Sequence, residues 1–177
     1  MKIQNEVLSA IAARRSCRAY QPEQIKPEEL QAVLDAGTWA PTGMNRQSPV
    51  IVVVQDKATR DLLSRINARI MGSNGDPFYG APTVLVVLVD RSVPTHVEDG
   101  TLVLGDMLLA ASSIGLGSCW IHRAKETFET EEGKELLRQW GLDPEKYRGV
   151  GNCILGYSAP GGIKPATPRK ADYVVKA

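Results

Sequence analysis

Ala40-Pro41-Thr42-Gly43-Met44-Asn45-Arg46-Gln47-Ser48-Pro49 runs directly into Val50-Ile51-Val52-Val53-Val54. The first part is made for a sharp turn, since Pro41 fixes a backbone angle and Gly43 permits close approach of other backbone. The last part is a continuous apolar run of strand length. Just upstream, a helix begins at Pro27, a favourable first-turn residue, shows Leu30, Val33 and Leu34, and is stopped by Gly37. A helix therefore turns tightly into a strand, with Thr42, Asn45 and Gln47 at the turn.

A second cluster lies closer to the N-terminus. Arg14-Arg15-Ser16-Cys17-Arg18-Ala19-Tyr20 sets three cations and a hydroxyl within five positions of a chain whose net charge is only +1. If the backbone is extended after the short amphipathic run of Val7, Leu8, Ile11 and Ala12, then Arg14, Ser16 and Arg18 point the same way. Two guanidiniums flanking a hydroxyl suit a phosphate, because Arg offers planar, charge-assisted donors. The same residues also suit a solvated helix end, where cations favour the negative dipole terminus. The cluster alone leaves both readings open.

Taken together, Arg-Arg-Ser-x-Arg-x-Tyr and Ala-Pro-Thr-Gly-x-Asn-x-Gln resemble the FMN-dependent nitroreductase family. Later segments agree in order and spacing: Phe78-Tyr79-Gly80-Ala81-Pro82 before a strand, Gly115-Leu116-Gly117-Ser118-Cys119-Trp120-Ile121, and a closing Pro168-Arg169-Lys170. The resemblance covers nearly the whole chain. One departure is Ser48, where many members pass straight from Gln to Pro and an aromatic, so no aromatic wall carries over at that point.

The resemblance implies a role for each segment. Arg14 and Ser16 look like FMN phosphate ligands, assisted by Arg15. Arg18 looks like the cation near the pyrimidine edge of the flavin, where a positive charge stabilises the anionic reduced ring. Pro41, Thr42, Gly43, Asn45 and Gln47 look like the loop offered across a dimer interface to the other subunit's flavin. Asn67 is either a group reaching the ring edge from its helix or a solvent-facing Asn. Cys119, Trp120 and Ile121 lie against the ring, mainly through backbone groups, or else form a core strand. Arg169 closes on the phosphate from the tail, with Lys170 either beside it or part of a plain basic terminus.

At 177 residues, 43% hydrophobic and 23% charged, the chain has ordinary globular composition and enough length for a sizeable core. A net charge of +1 makes no case for nucleic acid or an anionic membrane as partner. Cys17, Cys119 and Cys153 have no CxxC spacing, so a reducing, cytoplasmic setting fits better than a disulfide framework or zinc ribbon. Met1 to Ala10 has charges and no apolar centre, unlike a signal peptide. Leu102 to Ile114 is too short to span a bilayer, carries Asp106, and reads as a helix buried on most sides.

Other expected elements are a helix capped by Asp56 with Leu62, Leu63, Ile66 and Ile70 on one face, a polar loop from Gly72 to Pro77, and a buried strand from Thr83 to Val89. A short strand follows at Ser118 to Ile121, then a charged helix from Thr130 to Trp140, and a last strand from Val150 to Tyr157. Strands alternating with helices suggest, unaided, a doubly wound parallel sheet. The resemblance implies instead an α+β fold, with a mixed, mostly antiparallel sheet surrounded by helices, in an intertwined homodimer, and that is the reading adopted. Residues 1–157 then form one domain, and 158–177 an extension of it that wraps the partner subunit.

Other chemistries fail on residue type or context. Gly115-x-Gly117 follows a helix and precedes a strand, opposite to the dinucleotide fingerprint. There is no Walker A sequence and no GxSxG turn. His96 and His122 lack metal-ligand spacing, so no metal site is expected, and His122 reads as structural or solvent-facing. The absence of an acid–base or nucleophilic set fits a reaction carried by a cofactor. The resemblance thus implies an FMN oxidoreductase reduced by NADH or NADPH, passing hydride in a ping-pong cycle to nitroaromatics, quinones or flavins. A flavin carrier or sensor without turnover shares the same residues. So does a dehalogenase-type enzyme, for which only Met71 to Pro77 and Arg91 to Gly100 offer lid-like loops. Arg65, Arg69, Arg123 and Lys125 are candidates for a 2′-phosphate, equally explained as surface charge.

Overall fold

The computed structural model describes residues 3–177. Of the stretch read above as unlike a signal peptide, Met1 and Lys2 lie outside the described residues. The elements run α1 (Glu6–Ala13), α2 (Pro27–Thr38), β1 (Val50–Val54), α3 (Lys57–Met71), β2 (Thr83–Asp90), α4 (His96–Ser113), β3 (Gly117–Ile121), α5 (Ala124–Glu129), α6 (Glu131–Gln139) and β4 (Tyr147–Gly156).

Local chemistry sets several ends. Asn5 caps α1 by accepting from the Leu8 amide at 2.8 Å, and Asp56 caps α3 by accepting from the Thr59 amide at 2.8 Å. The α2 start has Pro27 in its first turn, and the Glu29 carboxylate reaches back to the Lys26 amide at 2.9 Å. At the far end of α3, Gly72 takes the left-handed conformation, φ 71°, that ends helices most cheaply for glycine.

The sheet has the order β1-β2-β4-β3, and every neighbouring pair is antiparallel. The doubly wound alternative is thereby excluded, and the mostly antiparallel α+β arrangement is the one observed. Central β2 alternates: Leu85, Val87 and Val89 join the core shared with α2 and α4, while Val84, Val86 and Leu88 face Leu63, Phe128 and Leu137 from α3, α5 and α6. Burying each such side chain contributes roughly 1.5–3 kcal/mol, so this strand is the main source of cohesion. Next to it, β4 carries one extra residue, its pairing shifting between Val87/Gly151 and Leu88/Gly149. Gly151 leaves room for the Trp120 indole, whose Cε2 a Cβ would meet at 2.8 Å.

Two elements differ from the sequence expectation, α4 in two respects. The α4 helix begins at His96, well before Leu102, because its polar first turn, with Glu98 and Asp99, has no apolar period to reveal it. Short α5 was not expected at all, since only Ala124, Thr127 and Phe128 of it face inward. The α4 helix is also not buried on most sides of the single chain. Leu102 and Gly105 are exposed, and Asp106 and Leu109 only half-buried beside α1, so this face of the helix is only partly covered. Among the described residues no helix is long and apolar enough to cross a membrane.

Candidate functional site

The Arg14–Tyr20 segment is extended, as a shared face for Arg14, Ser16 and Arg18 requires. Ser16 bridges Ser118 of β3 in parallel, and the Cys17 amide donates to the Ser118 carbonyl at 2.9 Å. On its other side the Arg18 amide donates to the Gly162 carbonyl at 2.8 Å. Cys17 points inward and is fully buried, whereas Ser16 and Arg14 are half-buried and Arg18 is exposed. The strap is therefore fixed between the β3 edge and the root of the C-terminal tail.

Its three cations are not equivalent. Arg15 folds back, its Nη1 donating to the carbonyls of Ala12 at 2.7 Å and Arg14 at 2.6 Å, so it serves the α1 terminus. Among the described residues the guanidiniums of Arg14 and Arg18 make no ion pair, while those of Arg60, Arg69 and Arg138 do. Two uncommitted cations on a rigid strap are what an anion-binding edge requires.

Beyond Ser118 the outer edge of β3 has no strand partner among the described residues. The side chains of Cys119 and Ile121 enter one core and Trp120 packs on the other, so this segment has mainly backbone to offer a ligand. Asn67 is fully buried. Its Nδ2 donates to the His122 carbonyl at 2.7 Å and its Oδ1 has no partner, so it braces the end of β3 instead of facing solvent. The next residue, Arg123, is left-handed at φ 75°, an uncommon state for a non-glycine residue.

The Pro41–Gln47 turn is unusual in its backbone. Met44, Asn45 and Gln47 have φ of 55°, 52° and 49°. Within the turn the Asn45 amide donates to the Thr42 carbonyl at 3.0 Å, the Gln47 amide to Thr42 Oγ1 at 3.0 Å, and Gln47 Nε2 to Asn45 Oδ1 at 3.1 Å. Pro41, Asn45 and Gln47 are exposed and Thr42 and Gly43 half-buried. In the tail, Arg169 and Lys170 are exposed, and Lys170 lies near Asp172 at 3.9 Å and over the Tyr173 ring at 5.6 Å. Among the described residues no ion pair or hydrogen bond joins these tail cations to the Arg14–Arg18 strap. The strap and β3 are thus brought together in one chain, and the tail cations are not.

Residues 11–157 match the model of the nitroreductase family. The chain belongs to the nitroreductase family. A nitroreductase with bound FMN from Bacteroides fragilis superposes with a TM-score of 0.89 at 30% identity, covering 98% of this chain and 100% of that one. An FMN-bound nitroreductase from Desulfitobacterium hafniense gives 0.87 at 28% identity, over 99% of this chain and 100% of that one. The FMN reductase (NAD(P)H) of Bacillus subtilis is 26% identical across 94% of this chain and 72% of its own length.

Two residues of this nitroreductase-family chain escaped the sequence reading. The Gly43 amide donates to Asp99 Oδ1 at 2.9 Å, and Thr95 Oγ1 donates to Asp99 Oδ2 at 3.1 Å. Asp99 is only 3% exposed. An Asp in a polar stretch before an apolar helix carries no sequence mark of its own; the only signal was its place in a helix first turn. Gly43 is needed for a steric reason, since a Cβ there would collide with the Thr95 hydroxyl.

Proposed function

We propose that this chain is an FMN-dependent oxidoreductase that uses NADH or NADPH to reduce flat, electron-poor acceptors such as nitroaromatics, quinones or flavins. The observation that carries this is the rigid strap, with Ser16 between two uncommitted guanidiniums beside an open strand edge. Arg14 and Ser16 would hold the FMN phosphate, Arg18 would face the pyrimidine edge, and the backbone of Cys119, Trp120 and Ile121 would line the ring. Arg15 would act through the end of α1, and Asn67 through the His122 carbonyl it holds. FMN held by these residues would supply the redox chemistry, hydride transfer between NAD(P)H and the acceptor. The chain itself binds, orients and charges the site, and leaves a slot in which donor and acceptor alternate.

The site is completed in a homodimer. Val7 at 61% and Trp39 at 86% exposure line, with Leu109, a hollow of about 460 Å³ between α1, α2 and α4, and the same helices expose Ile11 at 54% and Leu102 at 45%. Gly105, where an added Cβ would meet nothing, lets a second backbone come close. In this arrangement Pro41, Thr42, Gly43, Asn45 and Gln47 reach the neighbour's flavin. The tail from Ser158 wraps the partner, with Arg169 and Lys170 brought to a phosphate. Three buried, unpaired cysteines suit a reducing cytoplasm.

The test is an absorbance spectrum of the purified protein, repeated anaerobically after NADPH and then NADH. Yellow protein that bleaches is the expected result, and the faster reductant identifies the donor. Protein that takes up no FMN, or that stays yellow with both donors, would overturn the reading.

A further inference from the structure

We infer that Asp99 is a positioning residue: it sets the Thr42–Gln47 turn, and through it the surface presented to the flavin of the neighbouring subunit. The inference rests on the functional reading above. A non-glycine residue in the left-handed region costs roughly 1–2 kcal/mol, so a turn with Met44, Asn45 and Gln47 there must be held from outside as well as within. Its internal bonds shape it but do not orient it on the body of the protein. Among the described residues the hydrogen bond that leaves the turn is the one from the Gly43 amide to Asp99 Oδ1. Thr95 locks the other carboxylate oxygen, and its hydroxyl fills the place of a side chain on Gly43, so the turn is tied and gauged at one point.

Asp99 lies where such a tie is costly to build. A carboxylate 3% exposed loses most of its hydration, and among the described residues no cation is paired with it. The first turn of α4 compensates in part, because its amide dipoles favour negative charge. A carboxylate needed only for the helix would do as well in solvent. Burial against Gly43 and Thr95 gains rigidity of the turn. The same helix carries the partly covered face of Leu102, Gly105 and Asp106, so Asp99 connects the proposed dimer surface to the loop that crosses it.

The full-length protein tests this with Asp99→Ala, Asp99→Asn and Thr95→Val, reading the Kd for FMN by flavin fluorescence and the Tm of each apo form. Asp99→Ala is expected to weaken FMN roughly tenfold or more, as for one lost charge-assisted hydrogen bond. Asp99→Asn keeps an oxygen for the Gly43 amide and should recover FMN affinity to near wild type, a rescue that mere helix stabilisation by charge does not give. Thr95→Val should weaken FMN slightly, and it carries the test if Asp99→Ala does not fold. Unchanged FMN affinity in Asp99→Ala or in Thr95→Val, or an Asn variant as weak as Ala, would overturn the inference. Wild-type protein that takes up no FMN would defeat the functional reading, and this inference with it.

Discussion

Two loops of this molecule are each organised by one aspartate, by opposite means. Asp76 gathers the Ser73–Gly80 loop: it accepts from Arg60 Nη2 at 2.5 Å, Ser64 Oγ at 2.6 Å, and the amides of Phe78 at 2.9 Å and Gly80 at 2.7 Å. Its charge is answered by a guanidinium, and its side chain remains 36% exposed. Asp99 is buried, has neutral donors only, and holds a turn with three left-handed non-glycine residues. The loop with the balanced charge closes a helix onto a strand and serves stability. The one with the unbalanced charge holds an exposed, strained turn, as the role proposed for it opposite a neighbouring flavin requires.

That contrast can be broken by experiment, beginning with the largest effect. Asp76→Ala removes four hydrogen bonds, one of them from the 10%-exposed Arg60 guanidinium, which keeps Asp61 at 3.1 Å and the Ala81 carbonyl at 3.0 Å. It should cost roughly 2–3 kcal/mol in denaturant melts, because the lost carboxylate is itself partly exposed. FMN affinity of the folded fraction should stay near wild type; a large loss there would erase the division between the two loops. Arg14→Ala should do the reverse, weakening FMN by about 1.5–3 kcal/mol in a fluorescence titration with little change in melting. Unaltered FMN affinity would remove Arg14 from the site. Arg18→Ala should act more weakly, lowering affinity for reduced flavin more than for oxidised flavin, and so lowering the bound cofactor's midpoint potential. A potential equal to wild type would show that Arg18 does not face the ring.

The smallest effects are pH-dependent and opposite in sign. Burial pushes the Asp76 carboxyl up, but the hydrogen bonds from Arg60, Ser64, Gly80 and Phe78 outweigh it and hold the group below its usual range. Its stabilisation is therefore complete above the ordinary carboxylate value of about 4 and is lost as pH falls through the lowered folded value. Asp106, in the partly covered face of α4, is pushed up by burial alone. Its penalty is absent in acid and grows as pH rises from about 4 through the raised value. Asp106→Asn should accordingly raise Tm at neutral pH and leave it unchanged in strong acid. A gain that persists in acid would show that the charge is not the cause.

Much of this was legible in the sequence, for identifiable reasons. Thr83–Val89 declares itself as a strand because burial on both faces removes every polar residue but Thr83, and the half-buried edge strand Val50–Val54 does so by an unbroken run of β-branched residues. Their direction does not show: a strand buried on both faces reads alike in parallel and antiparallel sheets, and only the resemblance gave the right topology. The strap was legible because alternation in extended chain sorts Arg14, Ser16 and Arg18 from Cys17. That Arg15 turns back to the α1 carbonyls was not, since adjacent Arg14 and Arg15 look alike before a helix end is placed. Asn67 shows the same limit. Its burial depends on the His122 carbonyl, which folding brings from far along the chain. Asp99 was invisible because its partners, Gly43 and Thr95, acquire meaning only when the start of α4 meets the turn.

The central claim is a site shared between two copies, the strap from one and the turn from the other. Its most direct test is FMN stoichiometry in a mixed dimer of one Arg14→Ala chain and one Gly43→Val chain, purified through different tags. A shared site concentrates both lesions in one place and leaves the other intact, so the mixed dimer should bind one FMN tightly where neither homodimer does. A mixed dimer that binds none would show that each chain builds its site alone, and would contradict the account.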